Sequence, residues 1–250
     1  MFRSIICGVA LILLLGIGLV SCATKTTALQ STAYIESECV VLVHGLWRSG
    51  AAMQPIAEVL NQSGYNVVVI DYPSTRLAIP SLARTYIHEG VQECADSHPT
   101  KIHLVSHSMG AILIRQYLQD HMLPSGSKVV MLSPPNQGSE LSERFAGRWW
   151  FDGVVGPAAS SLTQHGIISR LAPLTVPVGI IAAKRNWSLW PDALLPEPND
   201  GTVSLSSMAL PEMNDWIEIE SGHAMMRFNS AVQAQILHFL QHSHFLHTGT

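Results

Sequence analysis

The feature that most constrains this chain is a short polar break between two apolar stretches. An apolar run over residues 102–105 ends at Val105, and Ser106-His107-Ser108-Met109-Gly110 follows. Residues 111–118 then read as an amphipathic helix. Strand, tight turn and helix in that order form the setting in which a G-x-S-x-G element makes chemical sense. The turn is strained and the central Ser must stand clear of the sheet, so the residues two before and two after it must not crowd it. Gly110 supplies the second small position. Ser106 stands where Gly is usual; it is only one atom larger than Ala, so the position is expected to tolerate it with a somewhat different elbow. Taken alone, the element fits an ordinary strand-to-helix loop equally well, and its weight comes from its surroundings.

Those surroundings alternate. Continuous apolar or β-branched runs at 39–43, 65–70, 101–105, 128–132, 176–182 and 216–220 read as strands buried on both faces. Helical spacing appears at 51–63, 81–94, 109–120 and 225–241, the last with Phe228, Val232, Ile236, Phe239 and Leu240 on one face. Gly64 stops the first of these helices. Residues 140–172 are harder to place: 141–145 and 160–171 look helical, with Gly and Trp between them. A Pro-rich loop runs from 184 to 201. Strands alternating with helices imply an α/β fold with a mostly parallel sheet covered on both sides. Each polar loop of interest follows the carboxyl end of a strand, where open α/β sheets bind ligands.

The N-terminus must be set aside before any fold argument. Arg3 gives a positive start, 5–20 is an uncharged run short of the roughly 20 residues of a comfortable membrane span, and Leu19-Val20-Ser21-Cys22 follows. That ending resembles a bacterial lipobox. It predicts a signal peptide over 1–21, lipid on Cys22 and a polar tether over 22–37, with the folded domain at 38–250. The competing reading is ordinary cleavage after Ser21-Cys22-Ala23, giving a soluble secreted or periplasmic protein. The lipid-anchored form belongs in the cell envelope, and no acidic retention signal follows Cys22, which favours the periplasmic side of the outer membrane in a Gram-negative source. The chain is 47% hydrophobic and 13% charged, and its net charge of -4 leaves no basic footprint for nucleic acid.

Five short elements now stand in order: V-L-V-H-G-L-W after the first core strand, S-H-S-M-G, S-P-P-N-Q-G-S after the next strand, N-D-G-T-V before the last, and G-H-A-M-M-R after it. Together they resemble the α/β-hydrolases of the bacterial lipase and esterase type, over residues 38–241. The resemblance implies an α/β-hydrolase fold with a small helical cap over about 140–172. It also implies a serine hydrolase that cleaves carboxylic esters through an acyl-enzyme, without cofactor or metal, on a small-molecule or lipid ester. Two readings stay beside it: an acyltransferase or thioesterase using the same residues, and a non-catalytic envelope lipoprotein that holds a lipid or partner in the cleft.

Carried over residue by residue, Ser108 is the nucleophile, His223 the base that activates it, and Asp200 the acid that orients the imidazole. Asp192, earlier in the same loop, and Asp71, at the end of another strand, compete for the acid role. Backbone N–H groups of Leu46 and Met109 would receive the developing oxyanion. His44 is expected to be structural, and His107 to be a packing residue rather than a second base. In this fold Cys39 and Cys94 fall together at the end away from the site, and either a disulfide or two buried thiols fits them. Trp149, Trp150, Phe151, Trp187 and Trp190 either line an apolar acyl pocket or interfacial surface, or pack the cap and loop cores. The tail histidines His238, His242, His244 and His247 lack a neighbouring carboxylate or Cys in sequence and are expected to be solvated rather than metal-bound.

Overall fold

A computed structural model describes residues 37–186 and 195–247. The expected signal peptide and lipidated Cys22, the tether up to residue 36, and Trp187, Trp190 and Asp192 lie outside the described residues. Six strands, β1 (Glu38–Val43), β2 (Asn66–Val69), β3 (Lys101–His107), β4 (Val129–Leu132), β5 (Val178–Ala183) and β6 (Asp215–Ile219), form one sheet in the order β2-β1-β3-β4-β5-β6. Every pairing is parallel, so the sheet is wholly rather than mostly parallel. The chain winds outward from β1 to β2 and then crosses back to β3. The switch in direction lies between β1 and β3, which is where such sheets open a crevice at their carboxyl ends.

Side chains alternate across each strand. Val40, Leu42, Val105, Val130, Leu132 and Ile181 enter one core layer, and Cys39, Val41, Val43, Leu104, Val129, Met131 and Ile180 enter the other. The first layer is closed by α1 (Gln54–Gln62) and by α8 (Ser230–His242), which follows the short α7 (Leu205–Met208), through Ile56, Leu60, Ile236 and Phe239. The second is closed by a helix that starts at α2 (Ile79–Leu82), passes a π turn at Ala83–Ile87 and continues as α3 (His88–Asp96), and by α4 (Gly110–Tyr117). Side chains of this size contribute roughly 1.5–3 kcal/mol each when fully buried. Gly179 in β5 lets α8 approach closely: a Cβ there would lie 2.5 Å from the Phe239 ring.

Two expected helices fall elsewhere. The helical stretch predicted over 160–171 is replaced by turns and a 3-10 segment at Ile168–Arg170, while the preceding residues form α6 (Trp149–Ser160), after α5 (Glu140–Phe145). Gly153, Gly156 and Pro157 hide α6 in the sequence. The chain accepts them by kinking at Gly156, whose φ of 77° suits glycine, and by burying Phe151, Val155, Ala158 and Ala159. The closing helix begins at Ser230, not 225: Met226–Phe228 is a 3-10 turn, and the Asn229 side chain caps α8 by accepting the Ala231 N–H. Phe228, expected on the buried face, is therefore 57% exposed. Among the described residues no helix is long and apolar enough to cross a membrane.

Cys39 at the start of β1 and Cys94 near the end of α3 form a disulfide, their Cα atoms 5.7 Å apart. Beside it, the Glu38 carboxylate accepts hydrogen bonds from Lys101 and from Nε2 of His103.

Candidate active site

Ser108 follows β3 and has a φ of 55°, a left-handed conformation that costs a non-glycine residue free energy and persists where the surroundings enforce it. The Ser108 N–H donates to the Leu132 carbonyl at 2.8 Å, and its own carbonyl accepts from Ala111 at 3.0 Å, so the turn is clamped from β4 and from α4. Gly110 is required here, because a Cβ would lie 2.6 Å from the His44 carbonyl oxygen and 2.8 Å from that of Val43. Ser106, two residues before the elbow, keeps a negative φ in the regular ladder of β3, which is why a side chain is tolerated at that position.

Asp200 and His223 meet. The Nδ1–H of His223 donates to Oδ2 of Asp200 at 2.6 Å, and the Asp200 side chain is fully buried. The other oxygen, Oδ1, accepts the N–H groups of Thr202 and Val203, each at 2.9 Å. With Nδ1–H committed to the carboxylate, Nε2 of a neutral His223 carries the lone pair. The backbone of His223 is tied as well: its N–H donates to the Asp200 carbonyl at 3.1 Å, and Nη2 of buried Arg227 donates to the carbonyl of neighbouring Ala224 at 3.0 Å. Asp71 lies elsewhere, with its carboxylate beside Nε2 of His44 at 3.3 Å.

Ser108 and His223 line one cavity of about 380 Å³. The Ser108 hydroxyl makes no hydrogen bond to His223 or to any other described residue. An apolar wall of the same cavity comes from Leu141, Phe145, Trp150, Phe151, Val155 and Leu162. Of the tryptophans, Trp150 faces the cavity and Trp149 is 85% exposed outside it. Leu46 and Met109 also line the cavity, and among the described residues neither backbone N–H is taken by another group of the chain. Two free amides beside a serine are what an oxyanion needs.

His44 shapes the loop that carries Leu46. Its Nδ1–H donates to the Gly45 carbonyl at 2.8 Å, Nε2 accepts the Tyr72 N–H, and the ring stacks on Tyr72. Burial lowers its pKa below the ordinary histidine range, against the pull of the Gly45 carbonyl and Asp71. His107 does more than fill space: its Nε2 lies 2.9 Å from the carbonyl oxygen of His223. Sequence reasoning missed that bond, because nothing local to Ser106-His107-Ser108 reveals a partner 116 residues away. The tail histidines His238, His242 and His244 cluster with ring centroids 4.4–5.8 Å apart, and His247 pairs instead with Asp215. Among the described residues no group of three or more such side chains is arranged to hold a metal ion. A polar groove of about 490 Å³ around Arg115 and Glu212 contains none of the site residues.

Residues 40–241 match the family model described as the alpha/beta hydrolase family. No curated protein matches the chain. Among solved structures, a mature Bacillus licheniformis lipase is similar with a TM-score of 0.67 and 20% identity, over 82% of this chain and 92% of that one. A Legionella pneumophila phospholipase gives 0.64 and 14% identity, over 83% of this chain and 60% of that one. A Pyrococcus furiosus esterase gives 0.55 and 18% identity, over 82% of each. Likeness at such identities concerns the fold.

Proposed function

The chain belongs to the alpha/beta hydrolase family, and from that premise we propose that it is a serine hydrolase cleaving carboxylic esters through an acyl-enzyme on Ser108. The observation that carries this reading is the Asp200–His223 hydrogen bond, set across one cavity from a serine on a strained strand-to-helix turn. As Oγ of Ser108 attacks the ester carbonyl, Nε2 of His223 takes its proton, and the Asp200 carboxylate stabilises the imidazolium that forms. The Leu46 and Met109 amides receive the developing oxyanion, a contact worth about 3–4 kcal/mol per donor in enzymes of this kind. The imidazolium returns the proton to the leaving alcohol. Water then attacks the acyl-enzyme by the same route, with His223 again as base. The contact between serine and base commonly tightens only in the substrate complex, so an open Ser108 hydroxyl is compatible with this chemistry.

The apolar wall of the Ser108 cavity fits the acyl part of the ester, whether the rest is a small alcohol or a lipid headgroup. The structural neighbours, a lipase, a phospholipase and an esterase, agree with an ester of that class. The Leu19-Val20-Ser21-Cys22 sequence supports lipid attachment at Cys22 and placement in the cell envelope, on the periplasmic side of the outer membrane in a Gram-negative source. Labelling by a fatty-acid analogue, lost in Cys22→Ala, is the expected result there.

A fluorophosphonate probe tests the chemistry. The folded protein should be labelled, and Ser108→Ala should not. Absence of labelling, or equal labelling of the variant, would instead favour a non-catalytic binder using the same cleft.

A further inference from the structure

His107 is 3% exposed, at the end of β3 immediately before the elbow. A carbonyl oxygen can only accept, so the 2.9 Å approach of Nε2 to the His223 carbonyl requires that Nε2 carry the proton. The other ring nitrogen, Nδ1, then holds a lone pair in a dry place and has no partner among the described residues. It lies under the loop that carries Leu46: a Cβ on Gly45 would come within 3.1 Å of Nδ1 and 3.0 Å of the Ser108 Cβ. The ring is also packed against the ring of His223, centroids 4.7 Å apart.

We propose that His107 is a positioning residue whose Nε2–H, by holding the His223 carbonyl, fixes the imidazole of the base against the Ser108 elbow. The inference rests on the reading of Ser108 and His223 as nucleophile and base. At His223 and Ala224 the backbone is then held to other parts of the fold by the His223 N–H to the Asp200 carbonyl and the His223 carbonyl to His107, with Arg227 on the Ala224 carbonyl. Among the described residues only the His107 bond ties the base to the strand that bears the nucleophile. Without it, the two reacting groups are joined only through separate loops, and a misplacement of about 1 Å can cost on the order of 100-fold in rate.

The neighbours of the ring suit a neutral donor. Burial first, then the positive charges of protonated His223, Arg227 and Arg48, hold the His107 pKa well below the ordinary histidine range, against the opposing pull of the His223 carbonyl. The Asp200 carboxylate is already bonded to His223. A second cation therefore does not form beside the imidazolium during turnover.

Glutamine and leucine separate this role from packing, because Nε2 of Gln sits the same number of bonds from Cα as Nε2 of His. Steady-state kinetics on a soluble ester should show His107→Leu losing roughly 10- to 100-fold in kcat with KM within twofold. His107→Gln should keep a kcat at least tenfold above that of His107→Leu, and the rate of fluorophosphonate labelling should follow the same order. A smaller separation, or equal losses in the two variants, overturns the proposal. Labelling of the parent that is lost in Ser108→Ala guards the underlying reading. A parent that does not label sinks that reading, whatever the variants do. Should both variants misfold, ¹⁵N NMR of the parent decides: His107 with the proton on Nε2 and a bare Nδ1 supports the bond, and the opposite tautomer or a charged ring at neutral pH overturns it.

Discussion

The Nδ1–H of His223 donates to Oδ2 of Asp200 at 2.6 Å, and Oδ1 of the same carboxylate accepts two backbone N–H groups. The buried carboxylate is thus fully occupied, and its geometry dictates which nitrogen of His223 is left free. Asp200→Asn, with its one carbonyl oxygen kept for the Thr202 and Val203 N–H groups, turns its NH₂ group toward Nδ1. We expect kcat to fall about 10⁴-fold with KM little changed, as when the wrong tautomer is imposed on such a triad. Steady-state kinetics checks this, and a loss below tenfold would assign the acid role elsewhere.

Acid should destabilise the fold well before carboxylates titrate. Burial is the largest influence on His44, His103 and His107, and each is held below the ordinary histidine range. These groups fold neutral, whereas in the unfolded chain each takes a proton below about pH 6.5. Their contribution is therefore present above about pH 6.5 and is lost as pH falls toward their folded pKa values. Burial raises the Glu38 carboxyl, but its hydrogen bonds with Lys101 and His103 and the Lys101 charge outweigh burial and hold it below the ordinary carboxylate range, which adds a further loss only below about pH 4.5. Urea midpoints should drop continuously from pH 7.5 to pH 4. A midpoint that rises on acidification between pH 7 and pH 5 contradicts this.

The Cys39–Cys94 disulfide spans a sequence separation of 55 at the end of the sheet away from Ser108. In the chain-entropy account it stabilises by about 4 kcal/mol, chiefly by restricting the unfolded chain. Cys39→Ser with Cys94→Ser should lower the denaturation midpoint strongly while leaving kcat at 25 °C within twofold, as long as the protein is folded. Loss of activity in still-folded protein would mean that the two ends of the sheet are coupled.

Ser106 is fully buried, and its hydroxyl has no partner among the described residues. Burying an unsatisfied hydroxyl costs about 1–3 kcal/mol. Ser106→Ala removes that cost while keeping the small side chain beside the elbow. Thermal denaturation should show a gain of about 1 kcal/mol, with kcat/KM within twofold. A loss of stability would show that the hydroxyl is satisfied after all.

What the chain announced locally is what depends on local patterning. The β-branched runs marked all six strands, and the small residue demanded at Gly110 marked the elbow. The order of the five short motifs drew attention to Ser108, Asp200 and His223 before any geometry. What stayed hidden depends on contacts distant along the chain. Asp71 and Asp200 both end up beside a histidine, and only the folded arrangement shows that Asp71 meets His44 and Asp200 meets His223. The glycines and proline of α6 read as breakers, because the burial of Phe151 and Val155 that secures the helix is a tertiary effect. Phe228 fits a helical stripe with Val232 and Ile236, but Asn229 caps the helix after it and leaves the ring outside. Whether Cys39 and Cys94 were joined likewise waited on the pairing of β1 with its neighbours.

The central claim is a covalent intermediate on one serine. Rapid quenching of the parent with a short-chain p-nitrophenyl ester, followed by intact-protein and peptide mass analysis, tests it most directly. The predicted result is an acyl adduct on the peptide containing Ser108, formed in a burst before steady turnover and absent from Ser108→Ala. Ester turnover with no adduct, an adduct on another residue, or undiminished turnover by Ser108→Ala would contradict the account.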